Sequence, residues 1–134
     1  MLDDSLITED MKELVREDGL LAFLNSSVAL RMAEADARGD LYREKPFVMD
    51  YDGVLVQGII DVFWLEEDKI ALLDYKTDNV QKSEELILRY KTQLNLYADA
   101  LMRVFSTKAH KISEAEKLIY SFRLNEVIEI TETV

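Results

Sequence analysis

The sequence predicts an α/β fold, a mixed β-sheet flanked by α-helices. Three observations carry that reading. The first forty residues hold helix start and stop signals. Residues 47–76 are rich in β-branched and aromatic residues broken by turn signals. Residues 84–105 repeat apolar positions at helical spacing. Helices, a strand hairpin, a long helix and a late strand form an order that buries its apolar faces as a sheet with helices against it.

The 134 residues suit one domain, with 1–40 as a helical lead-in and 41–134 as the core. Hydrophobic residues make up 49% of the chain, against four Gly and one Pro, so a packed core is expected rather than disorder. No run approaches the length of a membrane-spanning helix. Met1-Leu2-Asp3-Asp4 is acidic and lacks the basic start of a signal peptide. There is no Cys, which excludes a disulfide framework and a thiolate metal site. Together these features point to a cytoplasmic protein with no membrane partner. The net charge of −11 argues against a free nucleic-acid binder. Residues 81–110 are the exception, with five bases and three acids, and are where a phosphate backbone would be met.

Taken in order, Thr8 is expected to cap a helix whose first turn holds Glu9 and Asp10, with Gly19 interrupting it. Ser26 or Ser27 starts a second helix through Arg38, and Gly39 stops it. Phe47 to Met49 reads as a short strand after Pro46, and Asp52-Gly53 as a turn. Val54 to Leu65 and Ile70 to Lys76 read as the strands of a hairpin. Ser83 caps a helix from Glu84 to Phe105 with Leu86, Tyr90, Leu94, Tyr97 and Leu101 as its buried stripe. Ser113 caps a short helical turn. Leu118 to Leu124 and Val127 to Ile130 are late strands.

The hairpin carries the chemistry. A loop centred between Glu67 and Asp68 makes paired residue numbers sum to 135, which sets Asp61 directly opposite Asp74. Two carboxylates about 5 Å apart repel each other. A shared proton relieves that, and a divalent cation with oxygen ligands relieves it better. Strand alternation puts Lys76 on the same face as Asp74 and turns Tyr75 away. Such a face can hold a hard metal that polarises a phosphate, with the ammonium steadying developing negative charge. The competing reading is an ordinary solvated hairpin face. The neighbours Gly58-Ile59-Ile60 and Ile70-Ala71-Leu72-Leu73 argue instead for central, well-buried strands. On the long helix, Arg89, Gln93 and Tyr97 lie at i, i+4 and i+8 and form one stripe able to meet phosphates or a base. Tyr97 also reads as a core aromatic. Asp78 reads as a turn residue and His110 as a surface residue. Glu44 is a possible extra acid, with an ion pair to Arg43 or Lys45 as its structural alternative.

Gly58-Ile59-Ile60-Asp61, then Leu73-Asp74-Tyr75-Lys76-Thr77-Asp78, then Gln93-Leu94-Asn95-Leu96-Tyr97-Ala98 resembles the RecB-type nuclease domain of the PD-(D/E)XK superfamily. The form it resembles is the one at the C-terminal end of AddA (RexA)-type helicase–nuclease proteins, and Arg43-Glu44-Lys45-Pro46-Phe47 adds to the likeness over roughly residues 20 to 130. The resemblance implies a restriction-endonuclease-like fold and a single nuclease domain spanning 1–134. It implies Mg²⁺, with Mn²⁺ as a substitute, bound by Asp61, Asp74 and the backbone carbonyl of Tyr75, with Lys76 as the catalytic lysine. Gln93 and Tyr97 match the family's glutamine–tyrosine pair. The implied activity is exonucleolytic hydrolysis of DNA single strands delivered by helicase domains of the same full-length chain. The implied setting is double-strand-break repair by homologous recombination, beside a partner of the AddB/RexB type. The family carries a further His ligand upstream. No His precedes Asp61, so the chain is expected to be an N-terminally truncated fragment. The alternative from a different class is a catalytically inert nuclease-like scaffold or interaction module.

Overall fold

The computed structural model describes residues 17–106 and 111–131. Two helices lead, α1 (Glu17–Leu24) and α2 (Ser27–Arg38). Strands β1 (Leu41–Tyr51), β2 (Val54–Glu66) and β3 (Lys69–Lys76) follow, then helix α3 (Ser83–Phe105), then β4 (Glu114–Ser121) and β5 (Glu126–Ile130). The five strands form one sheet in sequence order. β3 and β4 run parallel, and the other neighbours are antiparallel. Helix α3 is therefore the crossover of a β–α–β unit, and the sheet is mixed and flanked by helices, as the sequence predicted.

The ends of α2 follow from its sequence. The Ser26 hydroxyl oxygen accepts the Ala29 N–H at 3.1 Å, and Gly39 closes the helix in the left-handed region at φ 81°. The expected break at Gly19 is not there. Helix α1 runs through it, because burying Leu20 and Phe23 outweighs the roughly 1 kcal/mol a glycine costs in a helix. The expected cap at Thr8, with Glu9 and Asp10, lies outside the described residues.

Strand β1 is far longer than Phe47 to Met49. Pro46 lies within it, opposite Ile59, and is tolerated because β1 is the edge of the sheet, where no outer strand needs its missing N–H. The hairpin register is the predicted one from Glu66 opposite Lys69 to Val62 opposite Leu73, but the ladder stops there and does not include the expected Asp61–Asp74 pair. The expectation that both strands are well buried is half corrected. β3 is buried from Ile70 to Tyr75, but the β2–β3 pairing ends at Val62 and the first half of β2 runs on with β1 alone. Val54, Leu55 and Ile59 on that arm are 60% or more exposed.

Three further expectations are corrected. Lys82, not Ser83, precedes α3, and the Glu85 carboxylate accepts the backbone N–H groups of Gln81 and Lys82 at 2.7 and 3.3 Å. Ser113 starts no helical turn. Its N–H and hydroxyl donate to the Asp68 carbonyl at 2.7 and 3.2 Å and lead straight into β4. That strand begins at Glu114 rather than Leu118, because the charges that disguised it have partners. Arg31 on α2 donates to both Glu66 oxygens at 2.7 and 3.0 Å and to Glu116 at 2.6 Å. Trp64 Nε1 also donates to Glu66, at 3.0 Å, and Lys69 stands 3.3 Å from Glu116.

The core has two layers, one on each sheet face. Leu20, Phe23, Met32 and Ala35 pack on Trp64, Leu73, Tyr75, Leu118 and Tyr120. On the other face Leu86, Leu94, Tyr97 and Leu101 of α3 pack on Ile60, Phe63, Leu72 and Ile119. Among the described residues, no helix is long and apolar enough to cross a membrane.

The Arg31 guanidinium holds the Glu66 carboxyl below its usual 4.5, and it does the same for Glu116 against the opposing pull of burial. A depressed folded pKa adds stability that is complete above the unfolded pKa and lost as pH falls below it. Replacing Arg31→Leu is expected to cost on the order of 1–2 kcal/mol at pH 7 and to flatten the loss of stability on acidification. Urea denaturation from pH 3 to 7 checks this. An unchanged acid limb would contradict it.

Candidate metal and phosphate site

The acids meet where the β2–β3 ladder opens. The β1–β2 ladder also skips a step there: pairing runs from Arg43 with Val62 to Lys45 with Ile60, and Glu44, exposed and at φ 51°, lies between. Freed from ladder bonding on that side, Asp61 turns its carboxylate to β3, where Oδ2 accepts the Tyr75 N–H at 3.0 Å. Asp74, one residue earlier on β3, is 5% exposed. Lys76 Nζ lies 2.7 Å from Asp74 Oδ2. That oxygen is otherwise orphaned: it is buried, and among the described residues it accepts no well-formed hydrogen bond. The close ion pair matters more than the missing bond, since an ammonium's charge acts at poor angles too. The Tyr75 side chain faces the other way, edge-on to Phe23, as alternation requires.

Burial pushes the Asp61 carboxyl up to about 7, helped by the hydrogen bond and charge of Asp74, while the Tyr75 N–H and Lys76 pull the other way. Burial also works against the Lys76 ammonium, but Asp74 outweighs it and Lys76 ends above its ordinary value. The carboxylate pair is thus short of positive charge even with Lys76 beside it. A half-buried and a buried carboxylate, the second with an oxygen lacking a well-formed bond, are oxygen donors of the kind a hard divalent cation takes. The residues fit such an ion, though sparsely. Among the described residues no group of three or more His, Asp or Glu gathers around one point. His110 lies outside the described residues.

Helix α3 walls the site. Gln93 Nε2 donates to the Tyr97 hydroxyl at 2.9 Å, so these two act as a unit. Arg89 does not join them by contact. It is exposed, and its guanidinium donates to Asp78 Oδ2 at 3.0 Å. Tyr97 meets Phe47 edge-on at 5.0 Å between centroids and lies against the β2 backbone. A Cβ at Gly58 would stand 2.9 Å from the Tyr97 hydroxyl and 2.8 Å from Phe47 Cε1, which explains a glycine in that strand.

Sequence reasoning missed Tyr90 and Asp78. Tyr90 was placed in the buried stripe and Asp78 in a turn. The Tyr90 ring centroid is 4.0 Å from Lys76 Nζ, and its hydroxyl donates to Asp78 at 2.6 Å. The available signal was the position of Tyr90 seven residues before Tyr97, on the same helical stripe. Two surface cavities, of about 720 and 760 Å³, lie elsewhere and include none of Asp61, Asp74 or Lys76. The arrangement of charge, not cavity size, marks the site.

A family model described as the PD-(D/E)XK nuclease superfamily matches residues 4–132. An ATP-dependent helicase/nuclease subunit of Clostridium perfringens (strain SM101) is 33% identical over 98% of this chain and 12% of its own length. The protein of the same name from Exiguobacterium sibiricum is 36% identical over 94% of this chain, again 12% of its own length. The chain thus spans about 12% of the relatives it matches. A solved structure, protein VC1899 from Vibrio cholerae, aligns over 87% of this chain and 27% of its own at 14% identity and a TM-score of 0.46, too weak a likeness to argue from.

Two outcomes are expected. A folded pKa near 7 for Asp61, against an ordinary 3.8, means the folded chain binds a proton that the unfolded chain lacks, so stability falls as pH rises from about 4 through 7. Asp61→Asn should remove that slope and melt higher than the parent at pH 8, and calorimetry at pH 5 and pH 8 without metal checks it. Gly58→Ala should displace Tyr97 and cost about 1–3 kcal/mol by overpacking, seen as altered Tyr97 ring resonances and a lower urea midpoint. Unmoved resonances would show that the strand gives way instead.

Proposed function

The chain belongs to the PD-(D/E)XK nuclease superfamily, and from that premise we propose that it hydrolyses DNA phosphodiester bonds at Asp61, Asp74 and Lys76. The observation that carries this reading is the buried Asp74 Oδ2, which among the described residues accepts no well-formed hydrogen bond and lies 2.7 Å from the Lys76 ammonium. In this reading all of 1–134 acts as one nuclease domain, 1–40 as lead-in and 41–134 as catalytic core. Asp61, Asp74 and the backbone carbonyl of Tyr75 hold a divalent cation, Mg²⁺ or Mn²⁺ in its place. When bound, the ion supplies charge neutralisation and Lewis acidity.

The chain's own residues do the rest. The Asp61 oxygen that accepts the Tyr75 N–H is anchored, which fixes the direction of the carboxylate. Water attacks phosphorus and gives up a proton to solvent, negative charge builds on the phosphoryl oxygens, and the bond to the deoxyribose oxygen breaks as that oxygen takes a proton from solvent. The Lys76 ammonium steadies that charge or orients the water. Gln93 and Tyr97, linked to each other, and Arg89 further along α3 face the phosphate backbone in the one stretch of the sequence that is net positive. The substrate is a DNA single strand, cut exonucleolytically in the cytoplasm. The relatives' names add helicase domains in the same full-length chain. A partner of the AddB/RexB type, with a role in recombinational repair of double-strand breaks, completes the proposal. Those partners also account for the acidity, since other protein would supply the basic channel.

A second reading, an inert nuclease-like scaffold, draws on the small ligand set and the net charge of −11. Metal binding separates the two. In this chain Mg²⁺ is expected to bind through Asp61 and Asp74, but more weakly than micromolar. In the complete helicase–nuclease, Lys76→Ala should lower DNA degradation by about 10² to 10³ and spare unwinding. Degradation and unwinding measured in one reaction decide it. Near-normal degradation by the variant would make Lys76 a surface lysine and sink the assignment.

A further inference from the structure

We propose that Tyr90 is a positioning residue for Lys76: its ring face seats the ammonium. The inference rests on the reading of Lys76 as the lysine of the hydrolytic centre.

Lys76 Nζ has two seats. One is Asp74 Oδ2 at 2.7 Å, and the other is the Tyr90 ring, 4.0 Å from nitrogen to centroid. The second distance lies well inside the reach of a cation–π contact. The ring is itself held. Its hydroxyl donates to Asp78 Oδ2 at 2.6 Å, and Arg89 donates to the same oxygen at 3.0 Å. Asp78 lies two residues beyond Lys76, and Tyr90 lies on α3. The strand end, the segment after it and the helix therefore close a ring of contacts around one ammonium.

A lysine carries about 2 kcal/mol of rotamer entropy, and one carboxylate contact leaves its long stem free to swing. Two seats at an angle fix the nitrogen in space. The seats also differ in what competes for them. Any second cation that takes up Asp74 draws on the carboxylate and not on the neutral ring. Tyr90 thus keeps the ammonium at the strand end when Asp74 serves another charge.

Metal-free proton NMR tests the seat directly. Methylene protons beside an aromatic face move upfield, so the Lys76 ε-protons should be shifted in the parent and in Tyr90→Phe, and should return to ordinary values in Tyr90→Leu. Cleavage of a single-stranded oligonucleotide with Mg²⁺ tests the consequence. Tyr90→Leu should lower kcat about tenfold with KM nearly unchanged, while Tyr90→Phe stays within about threefold of the parent. In the Lys76→Ala background Tyr90→Leu should cost nothing more, because the group it positions is gone. The proposal is overturned by unshifted ε-protons in the parent, by equal losses in Phe and Leu, by losses that multiply with Lys76→Ala, or by a rise in KM alone, which would make Tyr90 a DNA contact. If the parent chain cleaves no DNA, the same cleavage comparison is made in the complete helicase–nuclease: no degradation there sinks the nuclease reading, and the NMR result alone then decides the seat.

Discussion

The arrangement turns on one place where a ladder stops. β2 and β3 pair from Val62–Leu73 down to their turn and no further. One step beyond, the Tyr75 N–H is taken by the Asp61 carboxylate instead of a strand carbonyl. That substitution does two things. It gives a backbone donor in the buried strand a charged acceptor. It also draws a carboxylate into a half-buried position next to Asp74, where neither would stay without compensation. The skipped step at Glu44 is the matching deformation on the other side of β2. A regular ladder through Asp61 would send its side chain perpendicular to the sheet, away from the Tyr75 amide.

Such a strained corner needs a rigid surround. β3 is buried from Ile70 to Tyr75, with α1 and α2 packed on one face and α3 on the other. The apolar burial there is what offsets the cost of the acids. Arg31 clamps α2 across Glu66 and Glu116, which binds the far ends of β2 and β4 to one guanidinium. The corner is thus held from the turn end of the hairpin as well as from its own contacts.

Much of this was legible, and the reasons differ by element. The register followed from the turn position alone, because strand pairing has a period of two and one loop length sets every partner. The ends of α2 followed from Ser26 and Gly39 because caps are local chemistry. β1 and the start of β4 were obscured by residues whose meaning is not local. Pro46 speaks against a strand only where its missing N–H is needed, and Glu114 to Lys117 look like a solvated turn until Arg31, Lys69 and Asn95 are brought to them. The first half of β2 misled the other way: Val54, Leu55 and Ile59 are apolar and yet exposed, since no third strand reaches them. At the site, alternation was enough to gather Asp61, Asp74 and Lys76. It could not find Tyr90, whose ring meets Lys76 only because α3 crosses back over the strand.

The proposed cation site also has a rationale in how the acids of so negative a chain are partnered. Several other acids among the described residues have partners. Glu66 and Glu116 share Arg31, Asp78 has Arg89 and Tyr90, and Glu85 caps a helix start. Asp61 and Asp74 together carry two charges against the single ammonium of Lys76. The deficit is one positive charge, and a proton can meet it, which is the physical content of the Asp61 carboxyl being pushed to about 7. A proton and a divalent cation are rivals for the same oxygens. Protonation neutralises one acid and leaves the other carboxylate charged beside Lys76. An ion between the two carboxylates would satisfy both at once. In the proposed reading the corner takes the larger charge, and Lys76 then needs a seat of its own if it is to stay.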